Sequence, residues 1–457
     1  MMNHLFKSSK AVVDWPFHKL LIANRGEIAV RIIRACRDLG IRTVAVYSTA
    51  DRDALHTKLA DESICIGPAS AKDSYLSIDQ LIEAAKVTRS DAIHPGYGFL
   101  SEDPTFAKQI VANDLIYIGA DADVISLLGN KEAARKTMHL NGMPIVSGSK
   151  EAVTDEKVAA EQAEQIGYPV MLKASSGGGG KGMRIIHSRK EFAKLFSVAQ
   201  GEAVESFNDE HMYIEKYLAN PRHIEVQIIA DQYGNVVSVG ERDCTIQSHN
   251  QKVMEEAPAV ILNDVDRNRM LSICENVVAP LHYVGLGTIE FLYEGPGRFY
   301  FMEMNTRIQV EHPITELTSG IDLVKAQLMV SAGAQLAKMH PNESEFALEC
   351  RITALSAGTI TGLHLPGGYG IRIDTAIYQG YVVPPYYDAM IAKIIVFGSN
   401  RQEVVQQMRS VIDETVVNGI DTNLNLLAQI LSEPDFRNMN TNVNWLDNQI
   451  QLSNEQE

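Results

Sequence analysis

The chain has 457 residues, 45% of them apolar and 21% charged, and its 41 basic and 57 acidic side chains leave a net charge of −16. That length buries a large core in a few structural units. The charge argues against dependence on a nucleic-acid backbone or an anionic membrane surface, so neither is expected as a partner. Cys36, Cys65, Cys244, Cys274 and Cys350 form no metal-spaced pair and no disulfide framework, and no apolar run has the length of a membrane span; the expected compartment is the reducing cytoplasm.

Residues 1–18 precede the first strong strand signal and read as an N-terminal extension, a tail ahead of the fold. The stretch "KLLIANRGEIAVRIIRACRDLGIRTVAVYS" predicts a strand at Leu20–Ala23, a helix with Ile28, Ile32, Ala35, Cys36 and Leu39 at helical spacing, and a second strand. This βαβ start predicts a parallel sheet, and the single glycine of "ANRGE" is too few for a dinucleotide fingerprint. At "DAIHPGYGFLSE" a strand runs out into a loop bearing Tyr97, and ligands of open α/β sheets gather beyond such strand ends. Tyr97 is read either as support for that loop or as a substrate contact.

Lys131 opens the helix of "GNKEAARKTMHL", where it is read either as a solvated side chain or, at the positive helix end, as a phosphate contact. In "PVMLKASSGGGGKGMRIIHS" the strand Val170–Leu172 and Lys173 run directly into Gly177, Gly178, Gly179 and Gly180. A linker is normally hydrophilic on both sides, whereas this run is bracketed by strand-like sequence, so it is read as a mobile lid over phosphates between Lys173 and Lys181. No Gly-Lys-Ser/Thr follows, which excludes a Walker loop. Glu215 and Lys216 precede Leu218, where a crossing segment could present backbone to a purine edge or the two charges are simply an exposed ion pair, and "HIEVQIIAD" and "VVSVGERDC" predict an antiparallel pair.

The strongest signal is "GTIEFLYEGPGRFYFMEMNTRIQVEHP". A hairpin centred on the Pro296–Gly297 bond sets Glu290 opposite Glu303, with about 4.5–5.5 Å between Cβ atoms. Facing carboxylates on an otherwise apolar strand pair call for a hard cation such as Mg²⁺, unless that face is open to solvent, and Asn305 lies on the face of Glu303. Beyond it, Arg307 suits an anion and Glu311 suits proton abstraction. The C-terminal third alternates strands with Gly and Pro turns and reads as an α+β cap over the sheets. Arg351, inside an apolar strand pattern, needs an anion or a carboxylate.

These motifs in order, "LIANRGEIAVRIIRACRDLG", "HPGYGFLSE", "KASSGGGGKGMR", "EKYLANPRHIEVQ", "GERDC", "FMEMNTRIQVEHP" and "VPPYYDAMIAK", resemble the biotin carboxylases, ATP-grasp enzymes that act as a subunit of acetyl-CoA carboxylase or as domains of larger carboxylases. The resemblance spans about residues 19 to 450. It implies a mixed α/β and α+β fold: a Rossmann-like parallel-sheet domain at 19–130, an ATP-grasp domain at 131–330 with a lid at about 145–217, and a C-terminal domain at 331–457. The implied reaction is ATP-dependent carboxylation, by bicarbonate and through carboxyphosphate, of biotin on a separate carrier protein. It would be the first step of acetyl-CoA carboxylase in fatty acid synthesis.

By the same resemblance, Lys131, Lys173 and the glycines hold phosphates, and His223 and Gln247 lie around the nucleotide. Glu215, Lys216 and Leu218 frame adenine, while Glu290 and Glu303 bind Mg²⁺ or Mn²⁺. Lys252, Arg307, Gln309 and Val310 hold bicarbonate, Glu311 is its base, Arg351 stabilises the biotin enolate and Tyr97 neighbours biotin. Implied partners are a biotin carboxyl carrier protein, carboxyltransferase subunits and a second copy in a homodimer. No "MKM"-type attachment segment is present, in line with a separate carrier.

Two departures stand out: "QSHNQK" puts Ser248 and His249 where the family has two arginines, and "ECRITALSAGTITG" omits a Pro-Ser-Pro-Gly element near Arg351. The first predicts weakened bicarbonate capture. Two other readings stay open at this level, another ATP-grasp ligase and a nucleotide-binding paralogue without turnover.

Overall fold

The apolar runs nearest the N-terminus form one parallel sheet in the computed structural model, which describes residues 2–7, 15–149, 151–175, 182–207, 209–339 and 345–454. Strands β1 (Lys19–Ile22), β2 (Arg42–Ser48), β3 (Glu62–Gly67), β4 (Ala92–His94) and β5 (Ile116–Tyr117) pair in the order β3-β2-β1-β4-β5. β1 is buried along its whole length between β2 and β4, which is why it reads as a continuous apolar run. The strand order reverses at β1. The helix Gly26–Asp38 and the loop carrying Tyr97 therefore leave the sheet side by side at a switch point.

Strands β6 (Val170–Ala174), β7 (Arg184–Ile186) and β8 (Met212–Lys216) make a separate antiparallel sheet, ordered β7-β6-β8. The helices Glu156–Ile166 and Arg189–Phe207 accompany it, and Leu172, Ile214, Phe192 and Phe196 share its core. β6 and β7 pair antiparallel, in line with the strand-like sequence on both sides of the glycine run. Gly177, Gly178, Gly179, Gly180 and Lys181 themselves lie outside the described residues.

The third sheet holds the site. It begins with β9 (Arg222–Ala230), β10 (Val236–Ser248), β11 (Gln251–Ala257), β12 (Gly285–Tyr293) and β13 (Phe299–Asn305). The chain continues through β14 (Phe346–Thr353), β15 (Gly358–Thr359), β16 (Gly362–His364), β17 (Ile371–Thr375), β18 (Val382–Val383), β19 (Met390–Gly398) and β20 (Val416–Asn418). Eight of these strands form one sheet in the order β13-β12-β9-β10-β11-β14-β19-β17. The C-terminal third is thus not only a cap: β14, β19 and β17 extend the central sheet through the β11–β14 seam.

Residues 2–7 do not behave as a free tail. Leu5 and Phe6 are buried, the Lys7 N–H donates to the Gln335 carbonyl, and the Ala337 N–H donates to the Leu5 carbonyl. Among the described residues no helix is long and apolar enough to cross a membrane.

Candidate active site

A cavity of about 1050 Å³ opens where the first sheet, the three-stranded module and the central sheet meet. Its floor is the carboxylate hairpin. Glu290 of β12 does pair with Glu303 of β13, as expected, but the hairpin is not centred where the sequence suggested. Next to the turn Tyr293 pairs with Phe299 and Phe291 with Phe301, a register centred on Pro296. A bulge at Met302 adds one residue to β13 and restores the Glu290–Glu303 match.

The two carboxyls differ electrostatically. Burial raises Glu290, but Lys252 and His223 outweigh it and hold the group well below the usual carboxylate range. Glu303 is pushed up by burial and by Glu290, with Lys131 opposing. Glu303 is thus the carboxyl of the pair with the least balanced charge around it. Hard oxygen donors on adjacent strands fit a divalent ion there. Asn305 is committed elsewhere, its Nδ2 donating to Glu290 at 3.0 Å and its Oδ1 accepting from Arg307 at 2.9 Å. His223, Glu225 and Glu290 also converge closely enough to hold a metal, yet the Lys252 ammonium already sits on both of those glutamates.

Lys252 is the centre of the site. Its Nζ lies 2.5 Å from Glu225, 2.9 Å from Glu290 and 2.6 Å from Glu311. Arg351 closes the other side of Glu311, with NH2 to Oε2 at 3.0 Å, and is held from behind by Glu255 at 2.5 Å. Burial raises the Glu311 carboxyl, but Lys252, Arg351 and Arg242 together hold it well below the usual range. It is therefore an ionised acceptor. Gln309 bridges the network, donating to Glu290 at 2.8 Å and accepting from Arg242 at 2.6 Å. Val310 lines the cavity, and its carbonyl accepts from Lys393 at 2.7 Å. Arg307 pairs with Glu102 at 2.9 Å at the cavity edge.

Opposite, Lys131 begins the helix Lys131–Leu140, whose N-cap Asn130 accepts from the Ala133 N–H. Lys173 and Arg135 both pair with Glu215, at 2.6 and 2.5 Å. Gln247 donates to Nδ1 of His223 at 2.8 Å, and Nε2 lies 3.2 Å from Glu290 without a hydrogen bond to it. Tyr97 lines the cavity with its hydroxyl on Glu27. Two expected residues are not brought onto the wall. The Lys216 ammonium donates to the Gly167 and Tyr168 carbonyls, and Leu218 is half-buried outside the lining.

Sequence reasoning passed over Glu225, Arg242, Glu255, Arg135 and Lys393. Each is a charged residue in an apolar or alternating strand or helix pattern, the signal that did single out Arg351. Arg242 is fully buried and binds Glu225, Gln227, Gln309, Thr288 and Thr315. The departure residues form the β10–β11 turn. Ser248 donates to Asp447 at 2.9 Å, while His249 and Asn250 adopt positive φ and face the cavity.

Three family models match the chain: "Biotin carboxylase, N-terminal domain" over 16–125, "Carbamoyl-phosphate synthase L chain, ATP binding domain" over 130–339, and "Biotin carboxylase C-terminal domain" over 350–448. A biotin carboxylase of Haemophilus influenzae is 48% identical over 95% of this chain and 99% of its own. A Campylobacter jejuni biotin carboxylase structure, in complex with a β,γ-ATP ligand, superposes with TM-score 0.90 at 42% identity, covering 94% of this chain and 99% of that one. The biotin carboxylase domain dimer of Hydrogenobacter thermophilus 2-oxoglutarate carboxylase, with MgADP, ADP and bicarbonate, gives 0.88 at 41%, covering 94% and 97%.

Proposed function

The chain belongs to the biotin carboxylase family, and we propose that it carboxylates carrier-bound biotin with bicarbonate and ATP, as the first half-reaction of an acetyl-CoA carboxylase. The carrying observation is the cluster in which Lys252 and Arg351 grip the two oxygens of Glu311 beside Gln309 and Val310. Two cations around one ionised base form a place for a small anion that must lose a proton.

In this reading Lys252, Arg307, Gln309 and Val310 hold bicarbonate, and Glu311 takes its proton as it attacks the γ-phosphorus of ATP. ADP leaves and carboxyphosphate forms. Lys131, Lys173 and His223 face the phosphates, with Gln247 orienting His223; Glu215 anchors Lys173. Mg²⁺ or Mn²⁺ held by Glu290 and Glu303 would neutralise charge on the transferring phosphoryl group. Carboxyphosphate then yields CO₂ and phosphate; the phosphate takes the proton of the biotin ureido N–H, and the resulting enolate, its charge balanced by Arg351, bonds through that nitrogen to CO₂ beside Tyr97. The walls of the cavity exclude water, which would otherwise hydrolyse the intermediate. The carrier protein, carboxyltransferase subunits and a second copy of the chain complete the assembly.

The test is ATP cleavage with free biotin as acceptor. Turnover that needs both bicarbonate and biotin is expected. Turnover on an amine without biotin, or nucleotide binding without turnover, would replace this reading by another ATP-grasp ligase or by a binding paralogue. Reconstitution with carrier and transferase subunits should yield malonyl-CoA; carboxylation of a 2-oxo acid instead would reassign the acyl acceptor.

A further inference from the structure

The fully buried Lys393 belongs to none of the roles above, yet it touches three parts of the molecule. Its ammonium, on β19, donates to the Val310 carbonyl at 2.7 Å and lies 3.0 Å from Glu27 Oε1. Glu27 stands in the first turn of the helix Gly26–Asp38, at the switch point of the first sheet, and the same Oε1 accepts the Tyr97 hydroxyl. One lysine thus joins the C-terminal part of the central sheet, the segment Gln309–Glu311 and the loop carrying Tyr97. A buried ammonium costs several kcal/mol to desolvate unless it is paired and hydrogen-bonded, and an apolar side chain would fill the site without that cost. Packing alone does not explain it.

We propose that Lys393 is a positioning residue that sets the geometry of the two halves of the reaction together: through Val310 it fixes the backbone that presents Gln309 and Glu311 to bicarbonate, and through Glu27 it fixes Tyr97 at the biotin wall. The inference rests on the functional reading above for what occupies those two places. It touches no substrate itself. ATP contacts on the opposite wall, at Lys131, Lys173 and Glu215, share none of its partners.

The test pairs Lys393→Met, which keeps the stem and removes the ammonium, with Glu27→Gln, so that the Glu27 carboxylate is not left facing a lost partner in the double variant. In the double variant, hydrogen exchange at the amides of residues 309–311 should quicken about tenfold while β19 amides keep their protection. In the free-biotin assay the KM for bicarbonate and for biotin should each rise about tenfold, with the KM for ATP within about twofold, the change expected from one charge-assisted hydrogen bond. Lys393→Arg with native Glu27 should recover part of the bicarbonate KM. Unchanged exchange at 309–311 would overturn the proposal even if the parent were inactive toward biotin, an outcome that would separately sink the carboxylase reading. A uniform rise in all three KM values together with a lowered melting temperature would show Lys393 to be merely structural.

Discussion

At the scale of single residues, the site is a set of buried carboxylates that differ in which cations reach them. Glu290 has Lys252, Asn305, Gln309 and His223 around it, whereas Glu303 faces mainly like charge. Glu303→Gln is therefore a cleaner probe of the metal than Glu290→Gln, which would also unbalance Lys252. It should raise the Mg²⁺ concentration giving half-maximal rate about tenfold or more and leave the metal-free melting temperature equal or higher, since a repelled carboxylate is removed. An unchanged Mg²⁺ profile would refute the metal assignment. Glu255 offers a pH test. Burial pushes it from an ordinary value near 4.5 up to about 7, against the pull of Arg351. A group that holds its proton more tightly when folded contributes stability below pH 4.5 that is lost as pH rises toward 7. Glu255→Gln has no such proton to lose, so its melting temperature should fall less steeply across that window. Glu349, its cross-strand partner, is also raised and keeps part of the slope in the variant. Identical slopes in parent and variant would mean that Glu255 does not titrate there. Of these carboxylates only Glu290, Glu303 and Glu311 were legible in sequence. Glu225 and Glu255 sit in alternating patterns that are equally compatible with exposed strand faces, and only the sheet order reveals that both faces are covered.

At the scale of elements, hairpins carry most of the candidate site, and their registers show what sequence can and cannot convey. The Glu290–Glu303 pair was found from a misplaced turn centre, because the bulge at Met302 offsets the error. A bulge is set by packing against neighbours, here the backbone bond from Phe301 to Pro144, and leaves no local signature. The β10–β11 hairpin is simpler. Ser248 pairs with Gln251, and His249 and Asn250, with φ of 51° and 63°, make a two-residue turn that suits strand twist. Asp447, from the helix Trp445–Asn454, accepts the Ser248 hydroxyl and the His249 N–H. Gln247 and Lys252 stand opposite each other one step into the hairpin, so the turn orients both. Arginine at 248 can keep a bond to Asp447, and arginine at 249 adds charge at the cavity mouth at a modest cost in the left-handed region, about 1 kcal/mol. The double variant Ser248→Arg/His249→Arg should therefore lower the bicarbonate KM about threefold and leave kcat within about twofold, by steering and not by chemistry. No change in KM would show that the charge missing from this turn plays no part in anion capture.

At the scale of the whole molecule, the three consecutive domains that the ordered motifs suggest are the three segments matched by the family models. The strands add that β11 pairs directly with β14, so the central and C-terminal domains share one sheet. No run of residues announces such a seam, because strand neighbours in a sheet this wide are far apart in sequence. The real discontinuity is the β6–β8 module. None of its strands pairs with the central sheet, its core is its own, and its attachment includes the Ser149 N–H on the Ile214 carbonyl, the Lys216 N–H on the Ser147 carbonyl, and the Arg135–Glu215 pair. A small core held by a few edge contacts opens at lower cost than an eight-stranded sheet. Without nucleotide, amides of β6 and β8 should exchange at least about tenfold faster than those of β9 and β12, and calorimetry should resolve a lower transition for the module. On the proposed function, nucleotide between Lys173 on the module and Lys131 and Glu303 across the cavity would tie the two bodies together. MgADP at about a hundred times its Kd should add about 2.7 kcal/mol to the state that binds it and move the lower transition toward the main one. Equal protection of β6 and β9 without nucleotide, or a single transition that MgADP shifts as a whole, would show that the module is not an independent body.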